Sequence, residues 1–404
     1  MYPRKTDSNR ELNIESDLDL IRDPVATRHS ARLGELIRAE IAAAGGLLPF
    51  DRFMDLALYA PGLGYYVAGA AKFGAGGDFV TAPQISPLFG GCVAAQAAEA
   101  LHRLGGGDLL EFGAGSGALA VAVLSALERL AALPGRYLIL EPSPDLQARQ
   151  RELLGARLPH LVKRCVWLTA LPRALRGVVL ANEVLDAMPV HRFRIGAGGD
   201  PQEVFVTERD GNLTEVTGAI RSAGLTAAIA AVQRAGLAQT PGYTSEINLR
   251  LRPWCAALGD CLSAGLVLLI DYGYPASAYY QSDRTMGTLM CHWRHQAHGD
   301  PYRNLGLQDI GAHVDFSALA RAAFTADLAV VGFATQAQFL IGCGIDQLMA
   351  EAAAGGAPGP DLAQAIKQLL LPAAMGERFK VLGLARDLAG PWCGFSMRDL
   401  RDRL

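Results

Sequence analysis

Apolar and polar residues alternate with a helical period near the start of the chain. Residues 28–43 carry leucine and isoleucine at three- and four-residue spacing, which predicts an amphipathic helix. A second short helix is predicted over residues 49–59. Residues 61–87 are then dense in glycine and proline, but they also hold several aromatic residues, which favour a functional loop over disorder.

From residue 88 onward, predicted helices alternate with short apolar strands. The helices are predicted over 89–104, 118–132 and 144–154, and the strands over 108–112, 136–141, 161–168, 177–182, 265–271 and 328–333. This alternation is typical of an α/β fold with a parallel, doubly wound sheet. The fifth strand contains the run LVLLI, which indicates burial on both faces.

Two stretches interrupt the alternation. Residues 187–262 predict three antiparallel strands, over 192–195, 203–208 and 213–217, followed by two helical segments. Residues 273–314 show little periodicity and are rich in histidine, tyrosine, arginine and glycine. The expected division has four parts. Residues 1–26 form a flexible N-terminus, and residues 27–90 form a helical segment with a cofactor lid. Residues 91–186 and 263–390 form a Rossmann-like core, and residues 187–262 form an inserted substrate-side subdomain.

Composition narrows the class of protein. The 404 residues include 37 Lys+Arg and 40 Asp+Glu, a net charge of −3, and half are apolar. The chain is therefore expected to be globular, and a nucleic-acid partner is not predicted. The central apolar run 118–127 is too short for a membrane span. The N-terminus has no segment that resembles a targeting signal. The seven cysteines are scattered along the chain and form no CxxC motif. These features predict a cytoplasmic protein with reduced thiols.

A glycine-rich turn joins the first core strand to the next helix. The segment LLEFGAGSGALA places Gly113, Gly115 and Gly117 at this junction, where absent side chains allow a tight turn and close approach of a ligand to the backbone. The same spacing also satisfies a loose dinucleotide-binding pattern. The turn alone therefore does not separate NAD from other adenosine cofactors.

Two acids favour S-adenosyl-L-methionine (SAM) over NAD. Glu111 lies two residues before the first glycine, where a carboxylate suits a cationic ligand better than a pyrophosphate. Glu141 closes the second strand and could accept hydrogen bonds from ribose hydroxyls. SAM has an ammonium, a sulfonium and a free ribose diol, which match this pair. The alternative for Glu141 is a purely structural charge at the start of the following helix.

The chain resembles class I SAM-dependent methyltransferases through this turn, and one family more closely. That family is the mitochondrial complex I assembly-factor methyltransferases (NDUFAF7/MidA) with their bacterial relatives. The resemblance spans about residues 30–385 and rests on the segments FMDLALYAPGLGYY, FGAGGDFVTAPQISPLFG, LLEFGAGSGALA, VVLANEVLDAMPVHRF, LLIDYG, GTLMCHWRHQAHGDP and DIGAHVDFSALA. It implies a Rossmann-like SAM-binding sheet with a helical N-terminal segment and large insertions, and protein arginine methylation of a complex I subunit. The segment CHW at 291–293 departs from the family pattern.

The resemblance also implies roles for individual residues. The cofactor-binding positions are Gly77, Asp78, Thr81, Glu111, Gly113, Gly115, Gly117, Glu141 and Asn182; Phe79 belongs to the same lid motif. Asn182, Glu183 and Asp186 match the motif after the fourth strand. Catalytic roles are assigned to Glu183 and Asp186, and substrate contacts to Tyr272, His298 and His313.

Glu183 and Asp186 follow the fourth strand at its carboxyl end, the edge where such sheets bind ligands. A guanidinium needs carboxylates that hold it and draw off its positive charge, because its pKa exceeds about 12. Two acids three residues apart could converge on one guanidinium if the segment begins a helix. The alternative is that they cap a helix or pair with Arg192 or Arg194.

Aromatic and histidine residues near the fifth strand are further candidates with open alternatives. Tyr272 could stack on a substrate or pack under a loop. The motifs containing His298 and His313 could line a substrate cleft or anchor loops, with Asp315 capping the next helix. No metal site is predicted, because the histidines at 292, 295 and 298 lack zinc-ligand spacing.

The leading hypothesis is a SAM-dependent protein arginine methyltransferase that acts on a respiratory complex I-type subunit. A SAM-binding assembly factor and a small-molecule O- or N-methyltransferase are the alternatives. The large insertions favour a protein partner over a small substrate. The oligomeric state is left open, with a homodimer as one possibility.

Overall fold

The computed structural model describes residues 23–68, 81–355 and 359–404. Its strands in chain order are β1 (Leu48–Pro49), β2 (Asp108–Phe112), β3 (Tyr137–Leu140), β4 (Cys165–Leu168), β5 (Leu175–Asn182), β6 (His191–Ile195), β7 (Pro201–Arg209), β8 (Asn212–Gly218), β9 (Thr244–Ile247), β10 (Leu262–Tyr274), β11 (Met290–Trp293), β12 (Gln296–His298), β13 (Asp309–Gly311), β14 (Val314–Asp315), β15 (Ala329–Thr335) and β16 (Phe379–Arg386).

The α-helices are α1 (Pro24–Ala43), α2 (Phe50–Tyr59), α3 (Ala82–Ile85), α4 (Pro87–Leu104), α5 (Ala118–Arg129), α6 (Pro144–Arg157), α7 (Leu225–Arg234), α8 (Leu251–Cys261), α9 (Ala276–Tyr279), α10 (Phe316–Thr325), α11 (Gln336–Gly342), α12 (Ile345–Ala354) and α13 (Gly359–Leu370). Helix α1 begins at Pro24 rather than at residue 28, because the Asp23 carboxylate accepts hydrogen bonds from the Val25 and Ala26 amides. Across the described ranges, no helix combines the length and apolar character needed to cross a membrane.

The core sheet has the strand order β4–β3–β2–β5–β10–β16–β15. Strands β4, β3, β2, β5 and β10 pair in parallel, as the alternation of helices and strands predicts. Strand β16 is antiparallel to both of its neighbours, so the sheet is mixed rather than wholly parallel. The sequence analysis missed β16, where Lys380 and Gly383 interrupt the run of large apolar residues in the sequence.

Helices cover both faces of this sheet. Along β10, Leu266 and Leu268 pack on the side of α4 and α5, whereas Val267 and Leu269 pack on the side of α8 and α10. The alternation follows from the two-residue period of a strand, and both sets are fully buried. Because β2, β3, β5 and β10 run parallel, their carboxyl ends meet at one edge of the sheet.

The insertions form two smaller sheets. Strands β6, β7 and β8 are antiparallel, as predicted, and β1 and β9 complete a five-stranded sheet. Strand β9 was not predicted. Strands β12, β11 and β13 form a three-stranded sheet within the stretch that lacked periodicity. This small sheet brings β13 to the carboxyl-end edge of the core.

Candidate active site

The glycine turn has the backbone that its sequence predicts. It connects β2 to α5, and Gly113, Gly115 and Gly117 all have positive φ, at 56°, 51° and 84°. Side chains other than glycine are strained in this left-handed region. The turn therefore depends on glycine, and its backbone is left open to a neighbouring ligand.

Glu111 and Glu141 lie on either side of this turn and are both buried. The Tyr137 hydroxyl donates to Glu111 at 2.7 Å, and burial raises the pKa of Glu111 to about 7. Glu141 accepts hydrogen bonds from the Ser143 amide at 3.0 Å and from Gln150 Nε2 at 3.2 Å. These partners hold the Glu141 carboxylate at the end of β3.

A cavity of about 840 Å³ opens over the carboxyl-end edge of the sheet. Of the predicted cofactor residues, Thr81, Glu111, Gly113, Gly115, Glu141 and Asn182 line it. Gly117 instead sits at the start of α5, where it packs against Gln150. Gly77, Asp78 and Phe79 lie outside the described residues, as does the rest of the segment 69–80 within the predicted lid.

The segment after β5 is a tight turn and does not begin a helix. The buried Asp271 carboxylate holds it: Oδ2 accepts hydrogen bonds from the amides of Val184, Leu185 and Asp186, at 3.2, 2.9 and 3.3 Å. Glu183 adopts a left-handed backbone with φ of 53°. The segment does not begin the helix on which the convergence of the two acids was made conditional, yet the turn brings both acids to the same cavity.

The two acids have different partners. Tyr272 donates its hydroxyl to Asp186 Oδ2 at 2.5 Å, while Asp186 Oδ1 is buried and has no hydrogen-bond partner among the described residues. Glu183 accepts hydrogen bonds from Asn182 Nδ2 at 3.1 Å and from the Ala82 backbone. Tyr272 thus contacts the acid and lines the cavity.

The proposed structural pairing of these acids with nearby arginines is not found. Arg192 forms ion pairs with Glu215 and Glu246, and Arg194 donates to Thr244. Neither Glu183 nor Asp186 caps a helix, because the turn that carries them leads into no helix. Their carboxylates are therefore available to a ligand in the cavity.

A third acid and two tyrosines complete this part of the cavity and were missed by the sequence analysis. Asp309 is buried at the start of β13, and the Tyr66 hydroxyl donates to its Oδ1 at 2.9 Å. Tyr59 stacks on Tyr66 and donates to the Ala187 carbonyl. All three line the cavity. The only sequence signal was their position inside the segments FMDLALYAPGLGYY and DIGAHVDFSALA.

The two predicted histidines have different surroundings. His313 lines the cavity with its ring edge-on to Tyr272, and burial together with nearby Arg284 lowers its pKa to about 4. His298 lies on β12 away from the cavity lining, and its Nδ1 accepts from the Asp300 amide. Asp315 caps α10 through the Ala318 amide at 2.9 Å, which confirms the structural alternative for that residue. Among the described residues, no cluster of three metal-ligating side chains is present.

The acids raise one another's pKa values. Burial, and then the charge of Asp186, raises the pKa of Glu183 from 4.5 to about 8. Burial, and then Asp309, raises the pKa of Asp186 from 3.8 to about 7. A cationic ligand would reverse this effect, because an opposite charge favours the ionised carboxylates.

These pKa values predict how stability depends on pH. Both carboxyls have raised pKa values in the folded protein, so between about pH 4 and pH 8 it binds more protons than the unfolded chain. We therefore expect the free energy of unfolding of the ligand-free protein to fall as pH rises through this window. Thermal melts of wild type, Glu183→Gln and Asp186→Asn between pH 5 and pH 8 would measure it.

Each of the two substitutions should flatten the fall of melting temperature with pH. The exposed Glu351→Gln provides the matched control and should leave the slope unchanged. Slopes that are the same in all four proteins would show that these carboxyls titrate normally.

Comparison with known proteins identifies the family. Residues 92–334, more than half of the chain, match the family model of S-adenosyl-L-methionine-dependent methyltransferases, Methyltransf_28. The chain belongs to this methyltransferase family. A crystal structure of a COG1565 superfamily protein from Burkholderia thailandensis bound to S-adenosyl-homocysteine is 42% identical, with a TM-score of 0.89 over 95% of this chain and 99% of that one. The α/β fold predicted from the sequence is confirmed.

Curated relatives of this methyltransferase come from animals. The zebrafish protein arginine methyltransferase NDUFAF7, mitochondrial, is 28% identical over 85% of both chains. The fruit fly homologue is 28% identical over 87% of this chain and 84% of its own. The family model and the related structure bound to S-adenosyl-homocysteine show that the methyltransferase uses SAM, as predicted.

The described residues fit this cofactor. Asn182 Oδ1 is buried at the cavity without a hydrogen-bond partner among the described residues, so it can accept from an amino group. Glu141 is placed at the end of β3 to accept from ribose hydroxyls, and the glycine turn leaves its backbone open. The cavity volume lies within the range typical of small-molecule sites, about 300–1,000 Å³.

Proposed function

We propose that this enzyme methylates an arginine side chain of a protein, a subunit of a complex I-type respiratory assembly. The observation that carries the proposal is the convergence of Glu183, Asp186 and Asp309 on the cavity that also holds the cofactor-directed acids. Three carboxyl groups in one buried site suit a planar cation with several N–H donors, which is the chemistry of a guanidinium. The names of the animal relatives agree with this acceptor.

The roles of the acids follow from the chemistry of the acceptor. SAM supplies, when bound, a methyl group activated on a sulfonium. Glu183 and Asp186 hold the guanidinium and orient one nitrogen for in-line attack, where positioning contributes much of the rate. As the nitrogen–methyl bond forms and the sulfur–methyl bond breaks, sulfur takes the electron pair and the nitrogen loses a proton. We assign the acceptance of that proton to this carboxylate pair.

Tyr272 and Asp271 support the pair without needing to touch the acceptor. Tyr272 fixes Asp186 through one carboxylate oxygen and leaves the other, Oδ1, for the guanidinium. Asp271 fixes the turn through three backbone amides. His313 is neutral because burial lowers its pKa, so it adds no positive charge that would repel the acceptor. We infer that His298, outside the cavity lining, positions its loop.

A protein acceptor is favoured by the elements that surround the cavity. Tyr59 on α2, Ala187 before β6 and Asp309 on β13 all line it, although none of these elements belongs to the core sheet. We therefore assign residues 187–262 and the N-terminal segment to the substrate side. The described cysteines are all free thiols, which supports the proposal of a cytoplasmic location, whereas the animal relatives are named mitochondrial.

The decisive experiment is a substrate search. Purified enzyme and SAM labelled on its methyl group are incubated with lysate from a strain that lacks the enzyme. The expected result is a labelled protein whose tryptic peptides carry methylarginine, identified as a respiratory-complex subunit. Label found only in small molecules would favour a small-molecule methyltransferase. SAM binding without any transfer would favour the assembly-factor alternative.

A further inference from the structure

One side of the cavity carries positive charge. Arg378 is exposed and lines the cavity beside Phe379. The Arg284 guanidinium lies over the ring of Tyr274, another lining residue, at 4.4 Å, and Lys380 Nζ lies 5.5 Å from the same ring. We call Arg284, Arg378 and Lys380 the basic wall. The ring of His313, which also lines the cavity, lies 5.3 Å from the ring of Tyr274, and the three cations add to the effect of burial in lowering the pKa of His313.

No side chain of the basic wall forms a salt bridge with a carboxylate within the described ranges, and the only carboxylate whose charge acts on Lys380 there is that of Glu377. Arg284 donates to the carbonyls of Ala278 and Tyr279, and Lys380 donates to two backbone carbonyls. Arg378 shows neither a side-chain hydrogen bond nor an ion pair in the described part of the chain. Elsewhere arginines pair directly, as Arg136 does with Asp108. Arg378 is thus available to an anionic group in the cavity, and Arg284 and Lys380, next to the lining residue Tyr274, add positive charge nearby.

The wall lies on the acceptor side of the cavity. Arg378 immediately precedes β16, and its carbonyl accepts a hydrogen bond from the Gly273 amide. The residue before Gly273 is Tyr272, whose hydroxyl donates a hydrogen bond to Asp186. Strand β16 is three strands from β2 in the order β2–β5–β10–β16, which is about 14 Å at a usual strand spacing. The glycine turn after β2 is therefore far from the wall, whereas the turn that carries Glu183 and Asp186 lies between them.

We propose that the basic wall binds the carboxylate of an acidic residue close in sequence to the target arginine, so that the enzyme selects arginines flanked by Asp or Glu. The inference rests on the proposed arginine acceptor and specifies its neighbourhood. The guanidinium enters the acidic side while the flanking carboxylate meets the cations opposite. A flanking lysine would face those cations, and juxtaposed like charges are strongly unfavourable.

The test compares wild type, Arg378→Glu and Arg252→Glu in the labelling experiment, with SAM affinity measured for each by calorimetry. Arg378 is exposed, so the charge reversal should leave the fold intact; Arg252, exposed on α8, is the matched control. We expect Arg378→Glu to label the acceptor about tenfold more slowly with unchanged SAM affinity. In the acceptor protein, changing the acidic residue beside the labelled arginine to lysine should slow labelling by the wild-type enzyme to a similar extent. The same change in the acceptor should restore labelling by the Arg378→Glu enzyme.

Each other outcome identifies a different failure. Equal labelling by Arg378→Glu and the control, or a labelled arginine without an acid nearby, would overturn the inference and leave the proposed function standing. Weakened SAM binding by Arg378→Glu would show that the wall holds the carboxylate of the cofactor instead. If wild type labels no arginine at all, the proposed function fails, and this inference with it.

Discussion

Glu183→Gln and Asp186→Asn are each expected to slow methyl transfer by about 10² to 10⁴-fold while SAM affinity stays near that of wild type. The amide keeps the size of the carboxyl and removes the charge that holds a guanidinium and accepts its proton. Asp186 Oδ1 has no hydrogen-bond partner among the described residues, so its charge is directed at the ligand rather than at the fold. Single-turnover assays with an arginine acceptor and calorimetry with SAM would separate the two effects.

Controls make this result specific. The exposed Glu351→Gln should change neither quantity. Tyr272→Phe removes only the hydroxyl that fixes Asp186, so it should slow transfer less than either acid variant. A modest loss in both acid variants would favour a hydroxyl acceptor, which depends less on two charges. If both variants lose the cooperative thermal transition, the acids are structural instead.

Gly115→Val is expected to weaken SAM binding by about 100-fold or more. A β-branched residue at φ of 51° is strained, at a cost of about 1–3 kcal/mol, and its side chain would add bulk to the cavity wall. A 100-fold loss corresponds to about 2.8 kcal/mol of binding free energy, which we assign mainly to steric exclusion of the ligand by the valine side chain, whereas the backbone strain acts mainly on stability. Calorimetry with SAM measures it directly.

Gly155→Val is the matched control for this substitution. Gly155 lies on α6, and a Cβ placed there meets no atom within 4 Å, so SAM affinity should be retained. Thermal melts should accompany both variants, since strain in the turn also lowers stability. Normal SAM binding by Gly115→Val would mean that the turn serves packing alone.

The local structure that carries the proposed cofactor half of the site could be predicted from sequence because its determinants are local. Strand β2 has the predicted bounds, and the three glycines follow it directly with the positive φ that their residue type permits. Glu111 and Glu141 are fixed by their positions at the ends of two apolar strands. In a parallel sheet, consecutive strand ends meet at one edge, so sequence position implies proximity.

The proposed acceptor half of the site was decided by tertiary structure. Asp309 lies more than a hundred residues beyond Asp186, and the small sheet that carries it has no periodic signal. Tyr66 reaches Asp309 across 243 residues of chain. The segment that carries Glu183 is a turn and not a helix because Asp271, on the neighbouring strand, accepts hydrogen bonds from three of its amides. Hydrophobic periodicity determines which segments become helices and strands, but the meeting of distant polar side chains depends on how those segments pack.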